Sequence, residues 1–213
     1  MTRFPARQPA PDASTATDIC LTISGLSVMR GQRLVINKLD YHQPAGTLCL
    51  LTGANGAGKS TLLRTIAGRL PAESGDIFCP MPAVYVGHAD GLAGALTGRQ
   101  NLQSWAGIND QFASPDTLDA ALAGFDADSF ADLPVQLLSR GQRRRLALAR
   151  LLLAPPKSLW LLDEPNTGLD TDGKGRLETS IAAHLASGGS VIAATHVALQ
   201  VTVNPLNLQL GPH

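Results

Sequence analysis

Thr47–Thr52 (TLCLLT), a short and nearly continuous apolar run, leads directly into Gly53-Ala54-Asn55-Gly56-Ala57-Gly58-Lys59-Ser60. The loop fits GxxxxGK[ST] in full, and it sits between an expected strand and an expected helix, the context the pattern needs. Glycines let backbone N–H groups converge on phosphate oxygens, and the start of the following helix adds partial positive charge. Lys59 can reach the β- and γ-phosphates of a nucleotide, while the Ser60 hydroxyl can ligate Mg²⁺. A strand of this kind, buried on both faces, belongs in a parallel sheet.

The rest of the chain repeats the alternation. From Ile19 to Val35 the pattern predicts short strands broken at Gly25 and Gly31, and Pro44-Ala45-Gly46 makes a turn. A helix is expected from about Lys59 to Arg69, with Leu62, Leu63, Ile66 and Leu70 as its apolar face. Ala83–Gly87 reads as a strand. From about residue 90 onward Gly, Ala, Asn and Asp become frequent and Pro115 and Pro134 punctuate helical stretches, as in an inserted helical subdomain. Ser139 is placed to N-cap a helix that Pro155-Pro156 ends after Ala154. Ser158–Leu162 (SLWLL) and Ser190–Thr195 (SVIAAT) read as buried strands on either side of a helix at about Gly173–Ala186. The expected fold class is α/β with a mainly parallel sheet.

Composition excludes several roles. The chain has 213 residues, and Lys+Arg equals Asp+Glu at 17 each, so net charge gives no reason to expect nucleic acid as a partner. Aromatic residues make up 4%, too few for a base-stacking platform. Arg143–Arg145 reads as a solvated helix face rather than a nucleic-acid patch. Cys20, Cys49 and Cys79 lack metal spacing and read as reduced thiols. No run reaches the roughly 18 apolar residues of a membrane span. Residues 1–18, with Pro5, Pro9 and Pro11, read as a disordered tail before one domain over 19–213.

Two further elements carry chemistry. Asp163 ends an apolar strand, where it can hold Mg²⁺ directly or through water, and Glu164 beside it can orient and deprotonate a water. Leu138-Ser139-Arg140-Gly141-Gln142 opens a helix, so the Ser139 hydroxyl and backbone N–H groups are placed for a phosphate. A phosphate loop, a Ser-x-Gly-Gln element and an Asp-Glu pair in this order resemble the nucleotide-binding domain of ATP-binding cassette (ABC) proteins.

That resemblance implies a P-loop NTPase of the ABC type, with the helical subdomain at about 90–154. It implies ATP and Mg²⁺ as ligands, with Gly53, Ala54, Asn55, Gly56, Ala57, Gly58, Lys59, Ser60 and Thr61 around the phosphates. Catalysis would fall to Glu164, Lys59 and His196, a histidine that follows the last strand where the family has a γ-phosphate switch. Asn166-Thr167-Gly168-Leu169-Asp170 matches the family's D-loop. Ser139, Arg140, Gly141, Gln142 and Asp170 would contact the ATP of a second copy in a sandwich dimer. Two departures join the nucleotide-binding set: His88 stands in the slot of the Q-loop glutamine, which in the family senses nucleotide and faces the membrane partner, and Arg30 replaces the usual adenine-stacking aromatic, where a guanidinium can also stack.

Arg30-Gly31-x-Arg33, the Gly87-His88 slot and LSRGQRRRLALARLLL resemble one subfamily, the ATP-binding subunits of the haem exporter of cytochrome c biogenesis. The likeness implies a peripheral protein on the cytoplasmic face of the bacterial inner membrane, working with a separate multi-span membrane subunit of the CcmB type. An ATPase of another ABC transporter and a non-transport ABC protein remain open readings. The latter usually carries a long coiled-coil insertion or a second cassette, and neither is present here.

Overall fold

The computed structural model describes residues 19–211 apart from 110, 112 and 198; the expected tail at 1–18 lies outside the described residues. β1 (Ile19–Arg30) and β2 (Arg33–Pro44) form an antiparallel pair that turns at Gly31. The expected break at Gly25 is a bulge inside β1, where the register slips between Ile23 and Leu26. Gly25 takes φ 58°, a left-handed value that glycine adopts without a Cβ penalty. β4 (Ser74–Phe78) joins the other edge of β1 and completes a three-stranded sheet.

The second sheet is five-stranded and parallel, in the order β5 (Ala83–Val86), β6 (Leu159–Asp163), β7 (Ser190–Ala194), β3 (Leu48–Thr52) and β8 (Leu206–Gln209). Every residue of β6 and β7 is buried, as crossover helices on a parallel sheet require. Strand alternation divides the core in two. Trp160, Leu162, Val191 and Ala193 pack toward the helical part of the chain. Leu159, Leu161, Ile192 and Ala194 pack with α1 (Lys59–Ile66) and the antiparallel sheet. Helix α1 stops before the expected Arg69 because Gly68, at φ 67°, turns the chain out of helix; Leu70 lies outside the buried core.

Three helices follow the expected helical stretch. They are α2 (Gly98–Ile108), α3 (Pro115–Gly124) and α4 (Arg140–Ala149), the last tightening into a 3-10 turn at Arg150–Leu153. Local chemistry starts each one. Thr97 and Ser139 head capping boxes closed by Gln100 and Gln142, and Ser114 caps α3 with Pro115 at its first position. α5 (Thr171–Ala186) begins earlier than expected because Asp170 accepts the Gly173 N–H. Among the described residues no helix is long and apolar enough to cross a membrane.

Candidate functional site

The carboxyl ends of β3, β6 and β7 converge on one edge of the parallel sheet, where ligands bind in open α/β folds. The loop after β3 is shaped by its glycines. Gly53 has φ 143° and a Cβ there would lie 2.6 Å from the Leu210 carbonyl oxygen. Gly58, at φ 101°, leaves 2.8 Å between a Cβ and Val35 Cγ1. Side chains are therefore excluded at both of these bends in the loop. Lys59 is buried, and its ammonium donates to the carbonyls of Gly53 (2.7 Å) and Ala54 (3.1 Å).

An open cleft of about 400 Å³ lies over this loop. Arg30, Asn55, Gly56, Gly58, Lys59, Ser60 and Thr61 line it from one side, and Asp163, Glu164 and His196 from the other. Ala54 and Ala57 line an adjoining recess of about 100 Å³. Arg33 and Val35, which sequence reasoning did not assign to the site, border both spaces. His88 is exposed at the end of β5 and is not among the residues lining the cleft.

Ser60 Oγ donates to Asp163 Oδ1 at 3.0 Å, which puts two hard oxygen ligands side by side at the cleft wall. That set suits Mg²⁺, which keeps waters and takes ligands from substrate phosphates. Among the described residues no group of three or more His, Cys, Asp or Glu could hold a metal alone. The pair therefore fits a cation shared with phosphates.

Glu164 is held in an unusual backbone state. Its φ is 50°, in the left-handed region that costs a side-chain-bearing residue energy. Its N–H donates to the Ala194 carbonyl at 2.8 Å, which ties it to β7. Its Oε1 lies 3.5 Å from His196 Nε2. A carboxylate and an imidazole thus stand together at the mouth of the cleft, where they can orient a water.

The arginine cluster is not a solvated helix face. Arg144 is 2% exposed, and its guanidinium reaches the carbonyl oxygens of Gly87 (2.7 Å), Asp163 (3.3 Å), Glu164 (2.9 Å) and Pro165 (3.2 Å). It also meets Asp90 Oδ1 at 3.3 Å. Arg145 bridges Asp126, Asp170 and Asp172. The positive spacing was visible in the sequence, but its partners lie on other elements. Only the helical phase of α4, with Arg144 on the face of the buried Ala147 and Leu148, carried a signal.

Ser139, Gly141, Gln142 and Asp170 line a separate cleft of about 300 Å³. Ser139 Oγ accepts the Gln142 N–H at 3.2 Å, which leaves the hydroxyl proton available to donate. Arg140 is exposed and runs past Gly168. Asp170 carries its own structural duty: the Gly173 N–H and then Arg145 hold its carboxyl below the usual carboxylate range. The structure therefore places the sequence candidates around two separate clefts, apart from Gly53, Arg140 and His88, which are not among the lining residues of either.

Such a sheet, with a phosphate loop and an acidic strand end at one edge and a capped Ser-x-Gly-Gln helix apart from both, defines an ATP-binding-cassette domain. The chain belongs to the ABC transporter family, whose model matches residues 36–167. It is 41% identical to the cytochrome c biogenesis ATP-binding export protein CcmA of Nitrobacter hamburgensis, over 86% of this chain and 95% of that protein. It is 44% identical to the CcmA protein of Hyphomonas neptunium, over 86% of this chain and 93% of that one. Among solved structures it is similar to the dimeric, post-hydrolysis ATP-binding cassette MJ0796 bound to ADP and Pi. That match has TM-score 0.73 and 19% identity, covering 83% of this chain and 88% of that one, a likeness of fold.

Proposed function

We propose that this chain is the ATP-hydrolysing subunit of a membrane ABC transporter serving haem delivery in c-type cytochrome biogenesis. Residues 19–213 act as one nucleotide-binding domain. Its seat is peripheral, on the cytoplasmic face of the inner membrane against a multi-span subunit of the CcmB type. The identity to CcmA proteins over nearly their whole length supports the pathway. One observation carries the catalytic reading: Glu164, strained at φ 50°, stands 3.5 Å from His196 on the wall of a cleft that Lys59 and Ser60 also line.

The loop N–H groups from Gly53 to Thr61 bind the ATP phosphates, and Lys59 turns its ammonium from the loop carbonyls toward the β- and γ-phosphates. Arg30 stacks on the base. Ser60 and Asp163 would hold Mg²⁺, which supplies neutralisation of phosphate charge when bound. Glu164 takes the proton of the water whose oxygen bonds to the γ-phosphorus as the bond to the β–γ bridging oxygen breaks and ADP leaves, and His196 contacts the γ-phosphate. Ser139, Arg140, Gly141, Gln142 and Asp170 close on the nucleotide of a second copy. The division of the candidates into two clefts supports that pairing, since neither cleft holds the full set. His88 faces the membrane partner.

The test is co-purification from membranes with turnover measured on the complex. A multi-span cytochrome c maturation protein should accompany the chain, and Lys59→Ala should abolish ATP turnover while leaving that partner bound. Recovery of a partner unrelated to cytochrome c maturation would overturn the pathway, and full turnover in Lys59→Ala would overturn the site.

A further inference from the structure

We propose that Tyr85 is a positioning residue for the Asp163 carboxylate, holding it in the orientation that binds a divalent cation. The inference rests on the reading of Asp163 as a metal-holding residue. Tyr85 lies on β5 opposite Leu161 of β6, and its side chain packs on the α1 side of the sheet. Its hydroxyl stands 3.2 Å from Asp163 Oδ2, while Ser60 Oγ stands 3.0 Å from Asp163 Oδ1. Each carboxylate oxygen therefore has one donor. Asp163 is only 2% exposed, so water is a poor substitute for either.

The direction of the Tyr85 bond follows from the inventory of protons. Arg64 Nε donates to the Tyr85 hydroxyl at 3.2 Å, and a guanidinium has no acceptor to offer in return. The tyrosine must then spend its single proton elsewhere, and an ionised carboxylate can only accept. Arg64, Tyr85 and Asp163 thus form a one-way relay that ends on Oδ2. Arg69 adds a second cation over the ring, 5.0 Å from its centroid.

Gly87 supplies independent support. Its φ lies outside the left-handed range, so no turn demands glycine there. A Cβ at Gly87 would instead meet Tyr85 Oη at 2.8 Å and Cε1 at 2.9 Å. The missing side chain is the space in which the end of the tyrosine sits. Tyr85 and Gly87 are therefore two parts of one device, and the Ser60 hydroxyl can leave Oδ1 for the cation while Oδ2 stays anchored.

The experiment measures Mn²⁺ binding to the full chain with saturating ADP, read from the free-ion electron paramagnetic resonance signal. Tyr85→Phe removes one oxygen, and Gly87→Ala displaces the ring with the hydroxyl intact. Both should raise the Mn²⁺ dissociation constant roughly three- to tenfold, the net scale of one ordinary hydrogen bond, since the tyrosine acts on the ion only through the carboxylate. ADP affinity in EDTA should not change, a combination that general destabilisation would not produce. Mn²⁺ binding in both variants within about twofold of wild type overturns the proposal. Asp163→Asn separates the two levels: if it alone weakens Mn²⁺, the metal reading stands and Tyr85 is refuted. If it too leaves Mn²⁺ unchanged, the metal reading falls and the proposal with it.

Discussion

Arg144→Met keeps most of the aliphatic stem and removes the guanidinium, so it isolates what the five polar contacts of Arg144 contribute. Four of its acceptors are backbone carbonyls, of Gly87, Asp163, Glu164 and Pro165, and the fifth is Asp90, whose side chain is 20% exposed. Burial pulls the Arg144 pKa below its ordinary value, with Asp90 opposing, so the charge is costly to keep inside. Its loss recovers that desolvation cost, and the orphaned acceptors lose more. Breaking a buried, hydrogen-bonded charge costs about 3–5 kcal/mol. For a chain of this length that lowers the unfolding midpoint by roughly 6–20 °C. Arg143→Met is the control, because Arg143 is half-buried and among the described residues its guanidinium reaches only the Leu138 carbonyl; it should cost under about 1 kcal/mol. The folded fraction of Arg144→Met should also turn over slowly, because Glu164 loses the bond that pins its carbonyl. The assay is thermal unfolding beside ATP turnover per folded molecule. Equal midpoints for the two methionine variants would refute the account of Arg144.

His184 stacks on Trp160 at 3.8 Å and its Nε2 meets the Ser158 carbonyl, and burial pulls its pKa below the ordinary 6.5. The unfolded chain then binds the extra proton first, so stability is full above pH 6.5 and declines as pH falls through that value. His184→Phe should flatten the urea midpoint between about pH 6.5 and 5, and an unchanged slope would assign the loss elsewhere. A mixture of Lys59→Ala and Ser139→Arg subunits can form one composite site with both elements intact. ATP-dependent association, followed by size-exclusion chromatography, should survive in the mixture better than in either variant alone, and no dimer at any ATP level would contradict the sandwich.

Much of the site was legible where chemistry is local. The phosphate loop, the Ser139 cap, the Pro155-Pro156 stop and the acidic end of β6 depend on neighbours in sequence, and each stands where its pattern implied. β4 and β8 were not legible, because both are short edge strands with mostly exposed residues; β4 lacks apolar alternation, and in β8 Leu206 and Leu208 alternate with Asn207 and Gln209 over too few residues to stand out. Tyr85 was missed for a different reason. Its partner Asp163 is 78 residues away, and only the pairing of β5 with β6 brings them together. The parity of β5 held a partial signal: Val84 and Val86 are buried on the helical side, which sends Tyr85 toward α1. The arginines of α4 illustrate the converse, since charge in a sequence reads as surface until its partners are known.

The most direct test of the account is ATP turnover by Glu164→Gln, measured beside size-exclusion chromatography with Mg-ATP. The substitution keeps the shape at the cleft mouth and cannot accept a proton. Loss of a positioned base should slow hydrolysis by roughly 10²–10⁴-fold. ATP affinity should hold or rise, since the proposed binding rests on Lys59, Ser60 and the loop N–H groups, and the variant should collect as an ATP-bound dimer. Near-normal turnover in Glu164→Gln would contradict the assignment of the base and move it to His196 or Asp170.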